Sequence, residues 1–252
     1  CTSKFLKIQK STDIDYKLKM ADTYFDNKKY ELAQILYESV FPFIKGTARY
    51  EEYYYKFALS YYNDKDYLNA ENLFKTFLEN FPESKNAEDA EYLRAFCYYK
   101  QSPKAELDQT NTHKAINLFQ AFLYARPNSP KDSLITELMA NLKLKLEDKD
   151  KKSAFVYYNL ELFKASSVAF TTLSENYPDS KFADEYKYWV IVSLYNYTLT
   201  SLPEKQFDRN SKTLEEIKDF EERFQDSKYM KDVLIIKNKA TILKNIKIQT
   251  NE

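Results

Sequence analysis

Glycine is almost missing: one residue, Gly46, in 252, where typical usage of about 7% would place roughly 18. Phosphate-cradling loops and dinucleotide fingerprints need several glycines within a few residues, so both are excluded. Hairpin-rich β architectures lean on glycine for positive-φ turns, which favours an all-helical chain. Histidine is also single, His113, so multi-histidine metal sites are excluded and any nucleophilic triad would rest on that one ring. Two cysteines make no disulfide framework. Net charge is absent as well, with 38 Lys+Arg against 38 Asp+Glu. A nucleic-acid partner usually demands a basic excess that releases counterions, so none is expected. No run approaches the roughly 18 apolar residues of a membrane-spanning helix; the longest uncharged run, Tyr188 to Pro203, is broken by Ser, Asn and Thr. No cofactor and no enzymatic activity are expected.

What is abundant is aromatic: 23 Tyr, 18 Phe and one Trp, 17% of the chain. Internal repetition organises them. A phrase recurs at Phe81-Pro82-Glu83-Ser84, Arg126-Pro127-Asn128-Ser129, Tyr177-Pro178-Asp179-Ser180 and Phe224-Gln225-Asp226-Ser227. Upstream of the first lie Tyr54, Phe57, Ala58, Tyr61, Ala70, Phe74 and Phe77, on the spacing of the tetratricopeptide repeat, a helix–turn–helix unit of about 34 residues. The residue types follow from the packing. Small side chains at Ala58 and Ala70 let two antiparallel helices approach, and Tyr61 and Phe74 fill the space between successive pairs. Proline ends the second helix, and the following Ser is placed to cap the next. Pro130, after Ser129, suits a first helical position.

Four further copies fit with graded quality. The first carries Ala21, Tyr24, Ala33 and Tyr37, with Lys45 where the terminal proline would fall. The third carries Ala95, Tyr98, Ala115, Phe119 and Phe122 with a longer inter-helix loop, and the fourth Ala154, Tyr157, Ser166, Phe170 and Leu173. The fifth carries Val192, Tyr195, Thr213, Ile217 and Phe220, with an inter-helix loop containing Pro203. Val233, Ile236, Ala240 and Leu243 then read as a closing helix. The expected fold is all-α: a right-handed superhelical solenoid of five tetratricopeptide-like pairs plus a C-terminal capping helix. Its parts are a polar tether over residues 1–12, three repeats over 13–127, two over 128–228, and a cap and tail over 229–252.

Such repeats bind polypeptides on the face lined by the first helix of each pair. The inward positions are Leu18, Asp22 and Phe25 in the first copy, Tyr55, Leu59 and Tyr62 in the second, and Tyr92, Phe96 and Tyr99 in the third. Rings there give large contact area at low entropic cost to an extended or amphipathic peptide, although rings at helical spacing also serve packing. A second candidate surface lies between Lys228 and Asn251, where six Lys face one Asp. Lys237, Lys239 and Lys244 there would meet an acidic partner surface or anionic lipid, or form a solvated helix face. The run Glu147 to Lys152 reads as a solvated helix start. Cys97, inside Phe96-Cys97-Tyr98-Tyr99, reads as a small hydrophobe, and a Cys97–His113 pair as improbable chemistry.

Cys1 opens the chain, as in bacterial lipoproteins whose signal peptide is removed before a cysteine that is then acylated. Stable anchoring takes more than one lipid chain, which a multiply acylated Cys1 would supply. Together with the five repeats and the loop Gln101-Ser102-Pro103-Lys104-Ala105-Glu106-Leu107-Asp108-Gln109-Thr110, followed by Thr112-His113-Lys114-Ala115, the chain resembles the BamD family of outer-membrane assembly lipoproteins. The resemblance implies a lipoprotein anchored in the outer membrane through acylated Cys1, on its periplasmic face. It further implies that the C-terminal repeats bind a BamA-like barrel insertase and that the N-terminal repeats receive the C-terminal strand of unfolded outer-membrane β-barrel proteins. Gln225, standing where the other phrases have proline, departs from the pattern. Competing readings are another cell-envelope tetratricopeptide lipoprotein and a SusD-like nutrient-binding lipoprotein.

Overall fold

The computed structural model describes residues 2–250, with side chains for residues 4–245; Cys1 lies outside the described residues. These form twelve helices and no strand: α1 (Thr2–Gln9), α2 (Ile14–Asp26), α3 (Tyr30–Ile44), α4 (Ala48–Asn63), α5 (Tyr67–Asn80), α6 (Ala87–Gln101), α7 (Thr110–Ala125), α8 (Asp132–Asn159), α9 (Phe163–Asn176), α10 (Ala183–Leu199), α11 (Pro203–Arg223) and α12 (Met230–Thr250). Consecutive helices pack on one another, α8 doing so through its first part against α7 and its later part against α9. The five expected pairs are α2/α3, α4/α5, α6/α7, the later part of α8 with α9, and α10/α11, and α12 closes the series against α11. The all-α repeat expectation therefore holds.

The chain forms two compact units, Cys1–Leu144 and Lys145–Glu252. The division falls inside α8 rather than at residue 127, because Ile135, Leu138, Met139 and Leu142 in the first part of α8 complete the core of Ala115, Phe119 and Phe122. The small-residue rule is visible throughout: Ala21, Ala33, Ala58, Ala70, Ala90, Ala95 and Ala115 are wholly buried, as close helix crossing requires.

Three expectations are corrected. Residues 2–9 of the supposed tether are helical, and Ile8 is 1% exposed in the first core while Phe5 meets Tyr24 edge-on at 5.8 Å. Phe5 and Ile8, three residues apart, share one helix face, which the surrounding lysines disguise. Pro203 is not in a loop but opens α11 at its first position, where its missing N–H costs nothing; the fifth pair has longer helices instead of a longer loop. Pro130 precedes the start of α8 by two residues.

The recurrent serine works differently from a simple cap. Its Oγ accepts the N–H two residues on, from Asn86, Lys131, Phe182 and Tyr229 at 3.0–3.2 Å. In the last three copies it also donates to a carboxylate of an earlier helix: Ser129 to Glu88 and Ser227 to Asp184 at 2.7 Å, and Ser180 to Glu147. One hydroxyl thus orders the turn and ties it to an earlier helix, a contact across 33 to 43 residues.

The tight turns within pairs hold Lys28, Lys65 and Glu161 at φ of 58°, 67° and 59°, a region costing side chains with a Cβ about 1–2 kcal/mol. Glycine is nearly absent, so this strain is built in. Part of the gain from glycine is offset by unfolded-state entropy. Lys65→Gly is therefore expected to stabilise unit 1 by about 0.5–1 kcal/mol, seen as a higher midpoint in thermal denaturation; an unchanged or lower midpoint would contradict it.

Candidate functional site

In α4 the buried stripe Tyr54, Phe57 and Ala58 faces the core, and Tyr55, Leu59 and Tyr62 form a half-buried stripe beside it. In α6 the stripe Tyr92, Phe96 and Tyr99 is likewise half-buried, flanking buried Leu93, Ala95 and Cys97. The spacing of three and four residues keeps each set on one helix face. The two stripes meet. Phe96 stacks on Tyr92 at 5.5 Å and on Tyr99 at 5.3 Å, and Tyr62 reaches Phe96 at 6.4 Å. Tyr55 lies against Phe77 at 5.3 Å and donates its hydroxyl to Asp89 of α6.

Charges border this strip. Lys131 pairs with Asp89 at 3.3 Å and sits 5.6 Å over the Tyr92 ring, and Lys100 sits 5.0 Å over Phe96. Burial pushes the Tyr62 phenol up to about 12; burial and then the Asp89 hydrogen bond raise Tyr55. Both hydroxyls stay protonated at neutral pH; that of Tyr62 can donate to a ligand's carbonyl, whereas that of Tyr55 is already given to Asp89 and is left to accept. The strip thus offers stacked rings, neutral hydroxyls and a bordering ion pair, the equipment for holding an extended chain with aromatic side chains.

Not every expected residue belongs to it. Leu18 is 1% exposed, in the first core. Phe25 packs edge-on against Tyr30 at 5.6 Å and joins that core too. Asp22 accepts the Tyr37 hydroxyl at 2.7 Å and pairs with Lys56 at 3.1 Å. Of the first-copy positions Leu18 is thus buried in the core, while Asp22 and Phe25 are half-buried and engaged within unit 1.

The α12 lysines do not make one patch. Lys237 and Lys244 are seven residues apart and share a face, whereas Lys239 is turned about 200° from Lys237. Lys237 is moreover held by Glu221 of α11 at 2.8 Å. Glu147, expected in a solvated helix start, is 6% exposed in mid-α8, where it accepts the Tyr186 hydroxyl at 2.6 Å. Cys97 is wholly buried and burial pushes its thiol up to about 12, while His113 is exposed, so a thiolate nucleophile has no support. The loop 102–109 is organised by Gln109, which is 4% exposed and donates to the carbonyls of Lys104 at 2.8 Å and Leu107 at 3.0 Å.

Sequence reasoning missed a cleft of about 620 Å³ in unit 2, between α9 and α11 and floored by Leu194 and Tyr197 of α10. One wall alone leaves a trace in the sequence, since Lys164, Val168, Thr171 and Glu175 fall on one stripe of α9; in the structure Val168 on that stripe is 59% exposed. Among the described residues no group of acidic, histidine or cysteine side chains could hold a metal, and no helix is long and apolar enough to cross a membrane.

Among curated proteins none matches the chain. Among solved structures, the TPR2AB domain of yeast Sti1, in its pHSP90 complex, is similar at 11% identity and a TM-score of 0.41, over 90% of this chain and 98% of that one. The fold rests on the helix pairs themselves and not on that likeness. The sequence model of the YfiO family, described as outer membrane lipoprotein, matches residues 16–185. That span runs from α2 to the start of α10 and contains the aromatic strip and three of the four recurrent serine turns, those at Ser84, Ser129 and Ser180. The chain belongs to the YfiO family of outer membrane lipoproteins, the family of BamD.

Proposed function

We propose that this chain is a non-enzymatic scaffold and receptor in the assembly of β-barrel proteins at the outer membrane. Its α4–α6 strip takes up unfolded barrel proteins, its C-terminal unit holds a BamA-like insertase, and acylated Cys1 anchors it to the periplasmic face. The observation that carries the reading is the joined strip of Tyr62, Phe96 and Tyr99 in a member of this lipoprotein family. A strand of a barrel protein alternates outward apolar and aromatic side chains with inward polar ones, and such a strand can lay its rings on the strip while its backbone meets tyrosine hydroxyls. Lys239 and Lys244 remain for acidic groups of a partner, through contacts weakened by salt. The connections between helices are short, the longest being 102–109, which leaves little room for the ligand-binding insertion of a SusD-like protein.

Capture of the tagged full chain from membranes in mild detergent tests the reading. Recovery of a large barrel protein with tandem periplasmic domains is expected; recovery of a glycan transporter, with no barrel insertase, would overturn it.

A further inference from the structure

The cleft in unit 2 is ordered by charge along its length. Lys164 near the start of α9 lies with Arg209 and Lys212 of α11, and farther along stand Glu175 of α9 and Glu215 and Glu216 of α11, of which Glu216 is held by Lys187 of α10. Each of these helices is joined to its partner by a three-residue turn, over 160–162 and 200–202, and both pack on α10, so they run the same way. The dipole of α9 adds positive potential at Lys164, which lies in its first turn. Lys164 and Glu175 are about 16 Å apart along the helix, about three turns.

Between the charged ends the lining is apolar or small. An adjoining cleft of about 780 Å³ extends it over Leu162, Ala165 and Ala169. Leu160, Leu162, Leu199 and Leu202 on the bordering turns are 48–63% exposed, whereas the matching turn of the second pair is Asp64-Lys65-Asp66. Arg209 is fixed by its place 3.9 Å over the Tyr197 ring. The matching cleft of unit 1, between α5 and α7, is only about 290 Å³, and its charged side chains are already paired, Arg94 with Glu71 and Glu91 with Arg126.

We propose that the α9–α11 cleft docks one amphipathic helix of a partner protein, about three turns long, with carboxylates over Lys164 and Lys212, an apolar stripe on Val168 and Tyr197, and basic groups over Glu175 and Glu215. A free anion or lipid headgroup would meet only the basic end and leave the apolar floor and the acids unmatched. A polypeptide with both signs in order satisfies all three. The proposal reaches beyond barrel assembly, since it defines the partner by the chemistry of its segment.

The test uses the full chain and two synthetic amphipathic helical peptides of about 15 residues, identical in composition. One gathers its acids at one end and its bases at the other; its isomer interleaves them. By fluorescence anisotropy at low salt the bipolar peptide is expected to bind about tenfold tighter, with the gap closing at high salt. Lys164, Lys212, Glu175 and Glu215 are exposed, so their substitution leaves the cores intact. Lys164→Glu with Lys212→Glu should abolish the preference. Adding Glu175→Lys and Glu215→Lys should restore it, because the peptide can turn end for end. Equal binding of the two isomers, or no restoration in the fourfold variant, would overturn the proposal. Insertase capture that persists in that case would leave the assembly reading standing.

Discussion

Glu147→Ala is expected to destabilise unit 2 by about 3 kcal/mol, the cost of leaving buried hydroxyls without their acceptor. Glu147 is 6% exposed and accepts from Tyr186, which is wholly buried, and from Ser180. Truncation removes the acceptor for the Tyr186 phenol, which burial and then Glu147 already hold above its ordinary range. It also frees the serine that orders the turn before α10. Trp189 is the one tryptophan of the chain and sits in this core, 4.9 Å from both Phe155 and Tyr158. Its fluorescence in urea therefore reports the loss, as a midpoint lower by on the order of 2 M. Glu147→Gln keeps a carbonyl acceptor for Tyr186 and should cost about 1 kcal/mol. A Glu147→Ala midpoint equal to wild type would remove Glu147 as the tie between α8 and α10.

The second large effect concerns binding. Tyr62→Ala together with Phe96→Ala deletes the centre of the strip, where ring stacking joins α4 to α6. Central aromatic anchors lose about 2 kcal/mol or more on truncation. A synthetic strand ending in Phe should therefore bind the double variant about 30- to 100-fold more weakly. Phe96→Leu keeps apolar volume without the ring and should lie between. Tyr124→Ala, at a residue 89% exposed on α7, should bind as wild type. A double variant that keeps its helical signal and binds within about twofold of wild type would show that the rings only pack.

Much of this fold is legible in the sequence because the repeat imposes residue types at fixed offsets. Ala58 and Ala70 must be small where helices cross, and both are wholly buried. Asp22 to Lys56 and Tyr55 to Asp89 are bonded at a separation of 34 residues, one repeat apart. The rest depends on partners far along the chain. Nothing local distinguishes Glu147 from the charged residues around it; Ser180 and Tyr186 do. Nor does local pattern show that α1 closes over Leu18, or that the start of α8 completes the core of α7 instead of opening the next pair. The strip was legible in α6, where rings recur at i, i+4 and i+7, and in α4, where Leu59 stands between Tyr55 and Tyr62 on the same spacing. The α9–α11 cleft was not, because its walls come from helices in different repeats.

Site-specific photo-crosslinking in cells tests the central claim most directly. With p-benzoylphenylalanine replacing Tyr99, half-buried at the end of the strip, irradiation should trap newly made outer-membrane barrel polypeptides. The same probe replacing Tyr124 should trap none. Adducts of equal yield at both positions, or barrel polypeptides absent from position 99 alone, would contradict the account.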